Sequence, residues 1–198
     1  MSENNIDHHK IIFIDTEFTG EHQYATLVSI GIVTLSGESL YLTLNDYDKS
    51  QVTDWLEENV LSGIDPDKSV DSASAAVEVG AFLDKYSGDD RLYVVSAGLN
   101  LDIVLFFELF NHLKKVHGAQ FHALHDLPGY LQHHCTIDLN TLFRVAGVSP
   151  STSRALFANV ADENRHNALS DAAVVRECFI ALTKQPAFDP FVKSLLGE

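Results

Sequence analysis

One short apolar segment that ends in acidic residues decides the fold: Lys10–Asp15, with the sequence KIIFID, followed directly by Thr16 and Glu17. An apolar run without polar alternation is typical of a strand that is buried on both faces. The segment is therefore predicted to be a central strand. Because side chains alternate across a strand, Asp15 and Glu17 point to one side of its end and Thr16 to the other.

The rest of the chain predicts an α/β fold with a mixed sheet. Leu27–Leu35 and Ser39–Leu44 are expected to continue the first strand as an antiparallel meander, so that three antiparallel strands lead the fold. Helices and strands alternate after them, and this order favours helices on both faces of the sheet. The predicted helices are Val52–Leu61, Val70–Tyr86, a helix from its cap Asn100 to His117, Leu139–Val148 and Ala168–Lys184, the predicted strands are Leu92–Ala97 and Cys135–Asp138, and the predicted irregular connections are Gly118–His134 and Ser149–Asn164.

The length of 198 residues predicts a single domain. We expect a flexible N-terminus over residues 1–9, the domain over residues 10–185, and a C-terminal tail over residues 186–198 that packs on it. The apolar runs are too short or too often broken by acids to span a bilayer, so no membrane partner is expected.

Charge and cysteine content restrict the function. With 13 basic and 28 acidic residues the net charge is −15, which argues against a broad basic footprint on duplex nucleic acid. A small nucleic-acid site stays open, because clustered carboxylates recruit divalent cations that supply local positive charge. The two cysteines, Cys135 and Cys178, have no zinc-ribbon spacing, and we expect free thiols in a cytoplasmic protein.

Four acids are candidates for a metal site. Asp15 and Glu17 repel each other at a strand end unless a cation lies between them, and such oxygen ligands suit Mg²⁺ or Mn²⁺. Asp102 and Asp171 each fall in the first turn of a predicted helix, where an acid also simply complements the helix dipole. If all four acids converge, their mutual repulsion would destabilise the fold. Such an arrangement would instead suit the binding of two divalent cations.

His166 precedes Asp171 by five residues. On one regular helix the two side chains would diverge by about 140°. The sequence therefore predicts that His166 precedes the helix, which begins near Ala168. A histidine side chain, with an ordinary pKa near ~6.5, can act there as a general base. The alternative is a surface histidine at a helix start.

These residues resemble the DEDDh superfamily of 3′–5′ exonucleases, which have a ribonuclease H-like fold. The resemblance rests on three ordered blocks: Asp15-x-Glu17, Asp102 and His166-x-Ala168-x-x-Asp171. The segments Phe13–Phe18 and Leu27–Gly31 are most similar to a short exoribonuclease branch known from mycobacteria and from related bacterial and phage proteins. The chain differs from many relatives in carrying Ser29 in place of a glutamate and Leu101 in place of an aromatic residue.

The resemblance implies a metal-dependent reaction with two ions, Mg²⁺ or Mn²⁺, per active site. Asp15, Glu17 and Asp171 would hold one ion, Asp15 would bridge to the second with help from Asp102, and His166 would deprotonate the attacking water. The substrates implied are 3′ ends of single-stranded or overhanging RNA or DNA, and the products are nucleoside 5′-monophosphates.

Candidate substrate contacts are fewer. The resemblance implies that the backbone at Phe18 and Thr19 seats the terminal nucleotide, although Phe18 equally suits core packing. Arg165 is a further candidate substrate residue; with Arg154 and the pair Lys114-Lys115 it is a candidate phosphate contact, the alternative being solvated surface. The acidic balance predicts a footprint of a few nucleotides and a shallow salt dependence.

Rival functions stay open from the sequence. A catalytically silent nucleic-acid- or protein-binding relative would retain the fold, and a DNA 3′–5′ exonuclease would run the same reaction. A phosphomonoesterase with an aspartate nucleophile would need Asp-x-Asp, whereas this chain has Glu17 at the second position. The preference for RNA rests on the resemblance alone, and a homodimer is left open.

Overall fold

A mixed β-sheet forms the centre of the protein, for which the computed structural model describes residues 9–97, 100–117, 127–161 and 166–196. Within these residues the sheet has five strands in the order β3-β2-β1-β4-β5. The strands are β1 (His9–Phe18), β2 (Leu27–Thr34), β3 (Ser39–Thr43), β4 (Arg91–Ser96) and β5 (Leu131–Asp138). The first three are antiparallel, and β4 and β5 run parallel to β1. The predicted mixed sheet with a central first strand is confirmed.

Helices cover both faces of this sheet, as predicted. They are α1 (Asp54–Asn59), α2 (Ser72–Ser87), α3 (Leu101–His117), α4 (Leu139–Val145), α5 (Arg154–Ala158), α6 (Ala168–Thr183) and α7 (Asp189–Leu196). The alternation of β1 explains the two layers. Ile12 and Ile14 pack in the core formed with α2 and α3, whereas Ile11 and Phe13 pack in the core formed with α4, α6 and α7.

These apolar residues make β1 a rigid platform. Ile12, Phe13 and Ile14 have no exposed surface, and Ile11 is 2% exposed. Fully burying one such side chain stabilises a fold by about 1.5–3 kcal/mol. The acidic residues that follow on the same strand are therefore held at a fixed position relative to the helices on each side.

Strand β5 begins earlier than predicted. The structure starts it at Leu131, inside the segment expected to be a connection up to His134. Because β5 lies at the sheet edge, His133 and His134 are exposed on it, and a strand with polar exposed residues resembles a loop in sequence. Residues 118–126 of the expected connection lie outside the described residues.

Two further predictions of local structure were wrong in detail. The segment expected to be irregular from Ser149 contains α5, which starts after Ser153, whose hydroxyl accepts a hydrogen bond from the Leu156 N–H (3.4 Å). Helix α1 is shorter than predicted, because it begins only after its cap Thr53 and gives way to a 3-10 turn at Leu61–Gly63.

The C-terminal segment folds onto the α4 and α6 side of the sheet. A 3-10 turn at Pro186–Phe188 leads into α7, and Phe188 and Leu195 are buried in the core there. The division between a domain and a tail at residue 186 stays a prediction. Among the described residues, none of the helices combines the length and apolar character that crossing a bilayer would need.

Candidate active site

Asp15, Glu17 and Asp171 form an acidic cluster at the carboxyl end of β1. Asp15 and Glu17 lie on the strand, and Asp171 lies in the first turn of α6, which packs against β1 and β2. Carboxylate oxygens of the three side chains lie within 4.8 Å of one another. Carboxylate oxygens at this spacing are suitable ligands for a hard cation such as Mg²⁺ or Mn²⁺. The structure thus brings together three of the four predicted acids.

Gly31 allows α6 to approach the sheet. It lies on β2 directly opposite Asp15 in the antiparallel register. A Cβ atom at this position would lie 2.3 Å from the backbone carbonyl group of Ala168 and 2.4 Å from the Cα of Leu169. Only a glycine leaves room for the first turn of α6 there, and that turn carries Asp171.

His166 lies just before α6, as predicted from its spacing to Asp171. The helix begins at Ala168 after Asn167, whose side chain accepts a hydrogen bond from the Ser170 N–H (3.1 Å). The backbone of His166 has a φ of 64°, in the left-handed region. Its N–H donates to Oδ2 of Asp171 (3.1 Å), so the histidine and one acid of the cluster are fixed relative to each other.

The ring of His166 packs against Trp55. The ring centroids are 5.0 Å apart and the planes are nearly perpendicular, at 82°. Trp55, the only tryptophan of the chain, belongs to α1 and is 53% exposed. An edge-to-face contact restricts how the imidazole can turn. No sequence pattern predicts this contact, because nothing local connects Trp55 to a histidine more than a hundred residues away.

Asp102 lies in the first turn of α3, beside Thr16 near the end of β1. It is 4% exposed, and its Oδ1 accepts hydrogen bonds from the N–H (3.2 Å) and the hydroxyl (2.7 Å) of Thr16. Thr16 stands between Asp15 and Glu17 on the strand, and its N–H and hydroxyl anchor the fourth acid, Asp102. Asp102 is thus near the acidic cluster without belonging to it.

Burial and mutual repulsion raise the pKa values of the acidic cluster. For Asp15, burial is the largest cause of a pKa well above the usual value, followed by the charges of Asp102, Asp171 and Glu17. Burial, followed by the charges of Asp171 and Asp102, raises the pKa of Glu17 to about 7. Carboxylates that resist losing their protons in this way are expected to be stabilised as anions by a bound cation.

The pKa of Asp102 responds to opposing influences. It is raised to about 6, because burial and the charge of Asp171 raise it by more than the two hydrogen bonds from Thr16 and the positive charge of Arg154 lower it. Neighbouring groups therefore stabilise the anionic form of Asp102 more than that of Glu17.

All four acids and His166 line one cavity of about 570 Å³. This volume falls within the roughly 300–1,000 Å³ typical of small-molecule sites. The remaining wall includes Phe18 and residues 150–155. The cavity therefore combines a metal-binding side with a segment rich in hydroxyl groups, and it contains all five residues predicted to carry the chemistry.

The predicted substrate residues have different surroundings. Phe18 is half-buried, lines the cavity and also packs against the core formed with α2 and α3, so both of its predicted roles are compatible with its position. Thr19 is buried, its N–H donates to the Thr26 carbonyl (3.0 Å) and its hydroxyl bonds the side chain of Gln51. Arg165 lies outside the described residues.

Comparison with solved structures first places the protein in a class of fold. The chain is similar to the catalytic unit of Neurospora crassa Pan2, described as a protease and nuclease domain, with a TM-score of 0.53 and 17% sequence identity. The match covers 94% of this chain and 29% of that chain, so the protein spans less than a third of the Pan2 unit. At this identity the likeness shows the fold alone.

The sequence then identifies the family. Residues 10–183 match the family model described as the 3′–5′ exoribonuclease Rv2179c-like domain, and the chain belongs to this family. No curated protein matches the chain in sequence. The description of this family names 3′–5′ exoribonuclease activity, and nucleases of this family generally use divalent metals.

Proposed function

We propose that the protein is a divalent-metal-dependent 3′–5′ exoribonuclease that removes nucleoside 5′-monophosphates from single-stranded or 3′-overhanging ends. The family supports the direction of cleavage and the choice of RNA. The observation that carries the proposal is the acidic cluster, whose carboxylate oxygens lie within 4.8 Å of one another. Such a cluster opposes stability on its own and suits cation binding.

The acids divide into a cluster and a supporting residue. Asp15, Glu17 and Asp171 would hold one ion, and Asp15 with help from Asp102 would hold the second. The bound ions would neutralise charge on the phosphate and stabilise the oxygen that leaves. Mg²⁺ and Mn²⁺ both suit an all-carboxylate ligand set.

His166 is proposed as the general base. A ring nitrogen of His166 takes a proton from water as the water oxygen forms a bond to the terminal phosphorus. The bond from phosphorus to the 3′ oxygen of the preceding nucleotide breaks, and that oxygen leaves with the electron pair and takes up a proton. The products are a nucleoside 5′-monophosphate and a chain shortened by one residue. The hydrogen bond from the backbone N–H of His166 to Asp171 fixes the residue beside the acids, and the contact with Trp55 restricts its imidazole.

The proposal is tested with 5′-labelled RNA and DNA oligonucleotides of equal sequence, incubated with Mg²⁺, Mn²⁺ or EDTA. We expect a ladder that shortens one nucleotide at a time from the 3′ end, faster on RNA and absent in EDTA. Activity should change little with salt, because the net charge of −15 leaves few long-range phosphate contacts.

Matched variants separate the roles of the residues. Asp171→Asn should lose cleavage and metal binding together, whereas His166→Ala should keep Mn²⁺ binding and lose turnover by roughly 10²–10⁴-fold. Asp67→Asn, which removes an exposed acid from the surface, is the control and should cleave like the wild type. A wild-type protein that binds RNA without shortening it would identify a silent binding module, and a preference for DNA would identify a DNA exonuclease.

A further inference from the structure

Arg154 shares the cavity with the acids and is not explained by the proposed ligand set. It is the first residue of α5 and follows Ser151, Thr152 and Ser153 along the cavity wall. Its side chain is half-buried. The Nε atom is inaccessible to solvent and has no hydrogen-bond partner among the described residues. An arginine nitrogen that is buried without a partner is costly unless something binds to it in the working state.

The charge of Arg154 acts on the acids of the cavity. It lowers the pKa values of Asp15 and Asp102, which burial raises. An arginine near carboxylates that are to bind cations is unfavourable for the cations, because like charges repel. A cation is therefore not expected among the metal ligands. The position of Arg154 in the cavity suits a partner that is negative even when the ions are bound.

A phosphate group is that partner. The guanidinium group presents N–H donors in a planar fork that matches two oxygens of a phosphate. The reaction proposed above brings a phosphate to this cavity and leaves one on the product. We propose that Arg154 binds the phosphate of the 3′-terminal nucleotide, both before cleavage and in the nucleoside monophosphate product. This proposal rests on the proposed function for its substrate, while the binding it describes is measured without catalysis.

The structure does not describe the other candidate phosphate contacts. Arg165 and the side chains of Lys114 and Lys115 lie outside the described residues. Arg154 alone among the sequence candidates is described at the cavity. Because the contact is to phosphate and not to a base, it should hold all four nucleoside monophosphates with a similar contribution.

The experiment compares Arg154→Gln with Arg154→Lys and with Arg144→Gln. Arg144 is an exposed arginine on α4 and serves as the control. Its replacement also removes one positive charge, but at a position away from the cavity. Two titrations are made by calorimetry for each protein. The first uses Mn²⁺ alone, and the second uses adenosine 5′-monophosphate at saturating Mn²⁺, with adenosine as the ligand that lacks the phosphate.

The proposal predicts opposite changes for the two ligands. Arg154→Gln should bind the monophosphate roughly tenfold to a hundredfold more weakly, bind adenosine unchanged, and bind Mn²⁺ more tightly, because a repelling charge is gone. Arg154→Lys should recover part of the monophosphate binding, and Arg144→Gln should match the wild type. Damage to the fold would instead weaken Mn²⁺ and monophosphate binding together.

Three results would overturn the role of Arg154. The first is monophosphate binding by Arg154→Gln within twofold of the wild type. The second is the absence of monophosphate binding by the wild type itself. The third is a parallel loss of monophosphate and Mn²⁺ binding. Failure of the wild type to shorten RNA would refute the proposed function separately, and the binding comparison would still decide whether Arg154 holds a phosphate.

Discussion

The apolar half of β1 and its acidic end lie in one strand and contribute to stability in opposite directions. Residues 11–14 are buried on both faces and each stabilises the fold by about 1.5–3 kcal/mol. At residues 15 and 17 the same platform holds carboxylates whose burial and mutual repulsion raise their pKa values. The fold therefore holds the acids at positions where their charges destabilise it, and burial of the apolar half compensates for this cost.

The largest expected effect comes from removing a charge from the acidic end. Asp15→Asn should abolish cleavage, by roughly a thousandfold or more, because Asp15 belongs to the proposed metal ligand set. The same change should raise the melting temperature in EDTA, since it removes a repelled carboxylate. Both quantities are measured on one preparation, by oligonucleotide assay and by thermal denaturation.

The control is again Asp67→Asn, an exposed acid whose replacement should alter stability by no more than about 0.5 kcal/mol. A metal-free Asp15→Asn protein that melts below the wild type would contradict the view that the acidic end is unfavourable.

The next largest effect tests how α6 reaches the acidic end. Gly31→Ala places a Cβ atom 2.3 Å from the backbone of Ala168, so the first turn of α6 must shift. We expect a loss of about 1–3 kcal/mol in the free energy of unfolding, together with weaker Mn²⁺ binding because Asp171 moves with the turn. Urea denaturation and a Mn²⁺ titration measure the two.

Gly63→Ala is the matched control, because among the described residues no heavy atom other than those of its chain neighbours lies within 4 Å of a Cβ atom at that position. It should leave both quantities near the wild-type values. Unchanged Mn²⁺ affinity in a destabilised Gly31→Ala protein would show that the close approach serves packing alone.

A smaller effect is expected on the side of Asp102. Thr16→Val removes the hydroxyl that bonds Asp102 and should lower cleavage by roughly tenfold, since a hydrogen bond to a charged group contributes about 1.5–3 kcal/mol. Mn²⁺ binding by the acidic cluster should change less than cleavage does. Thr183→Val, which removes a hydroxyl bonded to the Phe179 carbonyl on α6, is the control. Equal activity of both variants would show that Asp102 needs no anchor.

The smallest effect is a dependence of metal-free stability on pH. The pKa of Glu17 is about 7 in the folded protein and 4.5 ordinarily, so the folded state holds a proton that the unfolded state releases. Stability from this group is complete below about pH 4.5 and is lost as the pH rises through about 7. We expect the melting temperature in EDTA to fall across this window in the wild type more steeply than in Glu17→Gln. Added Mn²⁺ should remove the difference in melting temperature between the two proteins at pH 7.5. A steeper fall in Glu17→Gln than in the wild type would contradict a raised pKa of Glu17.

The sequence predicted the central strand β1 and the start of α6 better than it predicted β5 and α5. The strand β1, its buried neighbours and the start of α6 are visible in sequence because periodicity and capping are local. Strand β5 was placed too late, because its exposed histidines at the sheet edge carry no apolar pattern. Helix α5 was missed, because its five residues follow a run of serines that is also typical of a loop.

The five residues predicted to carry the chemistry form ordered blocks in the sequence, and the structure places them around one cavity. The residues that position them were not found. The contact of Trp55 with His166 and the fit of Gly31 under α6 join segments far apart in sequence, and single-sequence patterns hold no information about such contacts. Alternation along β1 predicts that Thr16 points away from the cluster. Its hydrogen bond to Asp102 depends on where the fold places the start of α3, which the sequence does not show.

The most direct test of the central claim is anomalous diffraction from crystals of the protein soaked in Mn²⁺. The account predicts a peak within coordination distance of Asp15, Glu17 and Asp171, and a second peak beside Asp15 on the side of Asp102. Peaks confined to other surface acids, with the acidic cluster empty at saturating Mn²⁺, would contradict it.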